Sequence, residues 1–217
     1  NNICYHGDTM KKPKFEFYTR LNGHTEFLEF LQTIPIKDKQ KLLATIATIQ
    51  EHGLLVAQRM EWVKKLDDDI FEIRSKVASN IQRALYFHVI NERYIITHGF
   101  TKKTQKTPQS EIKHAKDLKK NLRTTTMTTI KFDDFLENEL ADKNFKEGFL
   151  TEKAILESAI AVSDARQTAG LTQRELASLS HVPQSTIARI ERGHNTSIET
   201  MSKIALALNK NLTIKIS

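Results

Sequence analysis

Apolar positions recur along the chain with two different periods. Near the start, KFEFYT alternates and reads as extended. After Gly23, TEFLEFLQTI repeats Phe27, Leu28, Phe30 and Leu31, and KDKQKLLATIATIQEHG repeats Leu42, Leu43, Ile46 and Ile49. That three-and-four spacing predicts two helices, the second ended by Gly53. From Asp69 the period falls to two. DIFEIRSK, IQRALYFHV and RYIITHGF are short, rich in β-branched and aromatic residues, and separated by SKVASN and NE, which predicts an antiparallel meander. A charged helix from Gln109 to Leu122 follows.

The threonine-rich NLRTTTMTTIK has linker composition, and Met127 within it is a candidate start of a once separate reading frame. Beyond it, KFDDFLENEL sets Phe132, Phe135, Leu136 and Leu140 at helical spacing among acidic residues, and another helix is predicted from about Thr151 to Ala169, stopped by Gly170. The expectation is an α+β domain with an antiparallel sheet over residues 1–123, an acidic linker and helix over 124–150, and an all-α domain over 151–217.

Charge sharpens this division. The net charge of +7 resolves into +8 over residues 1–123, −5 over 124–165 and +4 over 166–217. Two basic modules suit polyanionic partners, and the acidic stretch between them suits a solvated face or an internal mimic of such a partner. A single cysteine, Cys4, excludes an internal disulfide, and no cysteine–histidine pair has metal-site spacing, so neither metal nor cofactor is expected. No run approaches the roughly 18 apolar residues of a membrane span, and NNICYHGDTMKK lacks the apolar core of a signal peptide. A cytoplasmic protein without a membrane partner is expected, with Met10 a candidate start.

In GLTQRELASLSHVPQSTIARIERGHN, Thr172 and Glu175 make a capping box, so a helix begins there with Leu176 and Leu179 as its apolar face. SHVP turns the chain, and a second short helix runs from Gln184 to Arg192. Ile187 and Ile190 point inward, leaving Gln184, Ser185, Thr186 and Arg189 near the outer face and helix start. Over roughly Ile155 to Leu208 the chain resembles the lambda-repressor-like (XRE) helix-turn-helix family. The resemblance implies a second helix in the DNA major groove, with Gln184, Ser185 and Arg189 at base edges and Gln173 and Arg192 toward phosphates. A dimer would read a palindromic operator. Glutamine pairs bidentately with adenine and arginine with guanine, which agrees with that placement.

In FEIRSK, Arg74 and Lys76 alternate with Phe71 and Ile73, so Arg74 faces away from the buried side. Arg83 opens the next strand, and HGFTKKTQKTP closes the one after with Lys102, Lys103 and Lys106. Alternation groups Arg83 with Leu85, Phe87 and Val89, which requires a strand end or a bulge to expose it. Over roughly Lys14 to Leu122 the module resembles the phage-related branch of the RelE/HigB toxin family, on DDDIFEIRSK, NIQRALYFHV and HGFTKKTQKTP. The resemblance implies a RelE-like, microbial-RNase-like fold that cleaves mRNA on the ribosome without a metal. Arg74, Arg83 and Lys103 would line the cleavage site, with Lys76, Lys102 and Lys106 guiding RNA. Lys103 and His98 are the candidate proton acceptors, and Gln109 stands where related toxins place a tyrosine. A toxin preceding an XRE-type antitoxin also follows the order of HigB and HigA, with the two parts in contact in cis or across a homodimer. From a different class, the alternative is a transcription regulator whose sheet module is an inactive toxin used for binding. Ion pairing of Arg74 and Arg83 with Asp67 to Asp69 or with Glu72 would be the bland reading of those cations.

Overall fold

Every stretch that alternates forms a strand. In a computed structural model of the chain, which describes residues 12–103, 106–124 and 128–214, the first unit, Asn1–Leu150, carries six strands. They are β1 (Lys14–Tyr18), β2 (Val63–Lys65), β3 (Phe71–Val77), β4 (Asn80–Ile90), β5 (Arg93–Thr101) and β6 (Thr129–Lys131), in the order β2-β3-β4-β5-β1-β6. The predicted meander is β3 to β5, and β2 extends it antiparallel to β3. β1 lies parallel to β5, and β6 antiparallel to β1. Periodicity marked KFEFYT as extended but carried no information about its partner, because parallel pairing joins residues far apart in sequence.

Helices cover both faces. α1 (Glu26–Thr33) and α2 (Ile36–His52) pack on β5 and β3, and a short α3 (Leu54–Arg59) follows Gly53. Phe17 and Phe27 meet at 4.9 Å within this core, both fully buried. Each such burial contributes about 1.5–3 kcal/mol. Gly99 is required here, since a Cβ would stand 2.2 Å from the ring of Phe30 on α1. On the opposite face, α4 (Gln109–Thr124) sets Ala115 and Leu118 against Tyr18, Leu85, Phe87 and Ile95. Leu85 and Phe87 do share the face of Arg83 and are buried by α4, and Arg83, expected from the sequence to be exposed by a strand end or bulge, is buried as well. The register of β4 and β5 passes from Leu85↔His98 to Tyr86↔Ile96, leaving Thr97 as an extra residue that brings His98 and Ile95 onto one side.

The spacing of Leu42, Leu43, Ile46 and Ile49 accounts for one buried face of α2, yet the helix is buried from Gln40 to Gln50 all round. The acidic stretch supplies its outer cover. α5 (Phe132–Glu139) buries Phe132 fully and Phe135 and Leu136 partly, with Phe132 and Phe135 edge-on to Phe17. Lys39 pairs with Glu139 at 2.6 Å and lies over the rings of Phe135 and Phe145. Gln50 donates to Asp133 at 2.6 Å, and Gln40 donates to the carbonyls of Asn144 and Phe145.

α6 (Lys143–Thr168) starts earlier than the predicted Thr151 because Asp142 caps it through the amide of Phe145. The second unit, Thr151–Ser217, contains α7 (Gln173–Ser180), α8 (Gln184–Glu191) and α9 (Ile198–Ala207). Leu176, Val182, Ile187, Ile190, Ile204 and Leu208 form its core with Val162. Leu179, assigned to the apolar face from its spacing, is exposed, and Ser180 takes the inward place by donating to the Leu176 carbonyl. Cys4, Met10 and Met127 lie outside the described residues.

Candidate nucleic-acid interfaces

In the first unit, β3 and β4 pair so that Arg74 stands opposite Arg83, and Glu72 opposite Leu85. Lys64 of β2 stands opposite Glu72 on the other side. The period of two therefore gathers Lys64, Glu72, Arg74 and Arg83 on one face. Glu72 is fully buried among these cations, where sequence would place an exposed pair. Arg74 Nε donates to it at 2.8 Å, Thr107 donates at 2.6 Å, and Arg83 Nε stands 3.6 Å away. Arg83 is itself buried, its Nη1 donating to the Gln82 carbonyl at 2.8 Å, while its Nε has no hydrogen-bond acceptor. A buried donor without an acceptor costs about 1–3 kcal/mol. Burial lowers the pKa of Arg83, opposed by Glu72 and assisted by Arg74.

Lys102 joins this group. Its pKa is lowered by burial first and then by the positive charge of Arg83, against the pull of Glu72. Lys103, named from sequence as the catalytic lysine, is exposed, as are Lys76 and Lys106. His98 is 4% exposed. One ring nitrogen contacts Thr97 at 2.9 Å and the other Glu111 at 3.0 Å, and burial, with the neighbouring His114, lowers its pKa. Both ring nitrogens of His98 are thus engaged, in contact with Thr97 and with Glu111 of α4. Asp67 and Asp69, the other suggested partners of the arginines, pair instead with Lys116 and Lys119 of α4. Sequence reasoning assigned no site role to Lys64, Glu72 or Thr107. The alternation of WVKK would have offered Lys64, but three residues are too few to identify a strand. Gln109 is exposed at the first turn of α4.

In the second unit the capping box is present in full: Thr172 Oγ1 accepts from the Glu175 amide at 3.2 Å, and Glu175 accepts from the Thr172 amide at 2.7 Å. His181, at φ 53°, ends α7 in the left-handed conformation, and Val182 and Pro183 lead into α8. Gln184, Ser185, Arg189 and Arg192 are exposed and Thr186 is half-buried, while Ile187 and Ile190 are buried. Gln173 is held at both ends of its amide, donating to Glu191 at 2.9 Å and accepting from Gln184 at 3.0 Å. Glu191 is buried and takes a two-pronged pair from Arg166 at 2.5 and 2.9 Å, which raises the pKa of Arg166. This chain of contacts fixes the angle between α7 and α8.

Comparison with known proteins agrees with both halves. Residues 29–120 match the family described as phage-derived protein Gp49-like, and residues 162–215 match the helix-turn-helix family. A protein of Haemophilus influenzae (strain ATCC 51907 / DSM 11121 / KW20 / Rd), named "Uncharacterized HTH-type transcriptional regulator", is 38% identical over 77 residues, which cover 32% of this chain and 79% of that protein. No helix among the described residues is long and apolar enough to cross a membrane. With its capped α7, the exposed Gln184, Ser185 and Arg189 of α8, and this relative, the chain belongs to the HTH-type transcriptional regulators, and its first unit is similar to the phage-derived Gp49-like family.

Proposed function

We propose that the chain is a cytoplasmic toxin and its antitoxin in one polypeptide. The first unit is a metal-independent endoribonuclease acting on ribosome-bound mRNA, of the HigB kind, and the second is a HigA-like repressor of a palindromic operator. The observation that carries the nuclease reading is Arg83: a buried guanidinium with an unused Nε donor, beside Arg74 and Lys102, suits a phosphate oxygen. The RNA's own 2′-hydroxyl attacks the adjacent phosphate, the 5′-oxygen leaves, and a 2′,3′-cyclic phosphate remains. Arg74, Arg83 and Lys102 meet the charge that grows on the phosphorane, and Glu72 orients the two arginines. Lys102, with its ammonium destabilised by burial and by Arg83, is the proton carrier best supported by its surroundings. Lys76, Lys103 and Lys106 guide the RNA backbone.

The acidic helix α5 rests on β1 and α2, and β6 sits at the far end of the sheet from β2. Neutralisation would therefore act by bulk that keeps the first unit off the ribosome, not by covering Arg74. A second reading is favoured by Glu72 itself: a carboxylate already seated between the arginines competes with phosphate, which suits an inactive toxin retained for binding. Expression of the full chain and of residues 1–123, with RNA ends mapped on translating ribosomes, separates the two. New ends carrying cyclic phosphate in the shorter chain support the nuclease. A folded fragment that cuts nothing supports the inactive form.

A further inference from the structure

Away from the arginine cluster, α1, β5 and α4 bring three side chains together. Glu26, His98 and His114 place ligand atoms within 4.8 Å of one another. His114 Nε2 lies 2.6 Å from Glu26 Oε2, and the two imidazoles are 4.8 Å apart between ring centres. A fourth group, Glu111, has Oε2 3.0 Å from His98 Nε2. We propose that these side chains form a binding site for a divalent transition ion of the zinc class, with Glu26, His98 and His114 as ligands and Glu111 or water completing the shell. The inference stands independently of the nuclease reading.

The surrounding hydrogen bonds argue for it. Thr97 donates its hydroxyl hydrogen to the Leu85 carbonyl at 3.1 Å, so toward His98 the same oxygen accepts, and Nδ1 carries the proton of that 2.9 Å contact. In neutral His98 the Nε2 lone pair then points at Glu111, acceptor against acceptor, a contact that a proton or a bound metal ion between the two atoms would satisfy. Glu26 is divided in the same way: Oε1 takes Arg20, and Oε2 is left toward His114. Outer partners that fix a histidine tautomer and hold the spare carboxylate oxygen are the usual support of metal ligands. A tetrahedral zinc site separates its ligand atoms by roughly 3.4 Å, given bonds of about 2.1 Å. The observed spacing, 2.6 Å between His114 and Glu26 and no more than 4.8 Å between any two ligand atoms, brackets this value, so side-chain rotation within the cluster would reach it. His98 is buried, whereas the side chains of His114 and Glu111 are 38% and 30% exposed, which gives an ion a way in. Its effect would be to tie α1 and α4 to β5.

Cobalt(II) is the probe for the full chain after removal of metal with EDTA. One equivalent should produce the visible absorption of a histidine–carboxylate site, zinc should displace it, and excess zinc should raise the melting temperature. His114→Ala and Glu26→Gln should each weaken binding by about 100-fold or more. Thr97→Val, which touches no ligand oxygen and keeps the β-branched shape, should weaken it by about 10 to 100-fold. Absence of the cobalt band in the folded chain, or a band and affinity unaltered in all three variants, would overturn the proposal.

Discussion

Arg74 and Arg83 face each other across β3 and β4, and the buried carboxylate of Glu72 is what allows two guanidiniums to stand side by side. Two cations in a cross-strand pair repel. Glu72 removes part of that cost and leaves Lys64 and Lys102 as further positive charge around one acid.

If that charge serves the phosphorane, losing it should reduce the rate of cleavage more than the affinity for RNA. Arg74→Ala, Arg83→Ala and Lys102→Ala should each slow single-turnover mRNA cleavage on programmed ribosomes by about 100 to 1,000-fold, whereas Lys103→Ala and Lys106→Ala should mainly alter affinity and its salt dependence. Near-normal rates in the first three, each shown to be folded, would remove the active-site assignment.

The contacts of α5 with α2 and β1 predict that the full chain is harmless and that residues 1–123, lacking β6 and α5, arrest growth. Phe132→Asp puts a charge at a fully buried position facing Phe17 and should make the full chain toxic. Growth arrest by the fragment but not by Phe132→Asp, with α5 shown to be displaced, would exclude this segment as the neutraliser.

Arg189 is exposed on α8, and its replacement by alanine should cost roughly 1–3 kcal/mol of operator binding, concentrated at one base position in each half-site. An equal loss on random DNA, measured in the same salt, would show a phosphate contact instead. Arg166→Met should act through folding: it strips Glu191 of its two-pronged partner inside the second unit, at a cost of about 3 kcal/mol in chemical denaturation.

Glu16 links three strands, accepting from Arg93 at 2.8 and 2.7 Å and from Thr129 at 2.5 Å. Burial pushes its carboxyl up, but the bonds from Arg93 and Thr129 and the charges of Arg93 and Lys131 outweigh it, so its pKa is lowered. A lowered folded value means stability that is present above glutamate's ordinary 4.5 and is lost as the pH falls through the folded value. Glu16→Gln should flatten this part of the acid unfolding curve and leave the curve between pH 6 and 8, as about the neutral range, parallel to that of the wild type.

Local chemistry was legible without coordinates. The Thr172–Glu175 box and the inward Ile187 and Ile190 depend only on helix geometry, so the sequence carried them into α7 and α8, and the alternation of FEIRSK put Arg74 on the face opposite Ile73. Partners far apart in the chain were decided by tertiary structure. Which lysine feels the charge of Arg83 depends on how β5 ends: Lys102 does, and Lys103 is exposed. Glu72 looked like a surface acid until β2, β4 and Thr107 closed around it. His98 looked like a proton acceptor until α4 covered it and supplied Glu111 and His114, a convergence that no cysteine–histidine spacing could announce because its members come from a strand and two helices. The physical reason is the same in each case: period reports which face a residue takes, whereas charge pairing, burial and ligand sets depend on which other faces the fold brings against it.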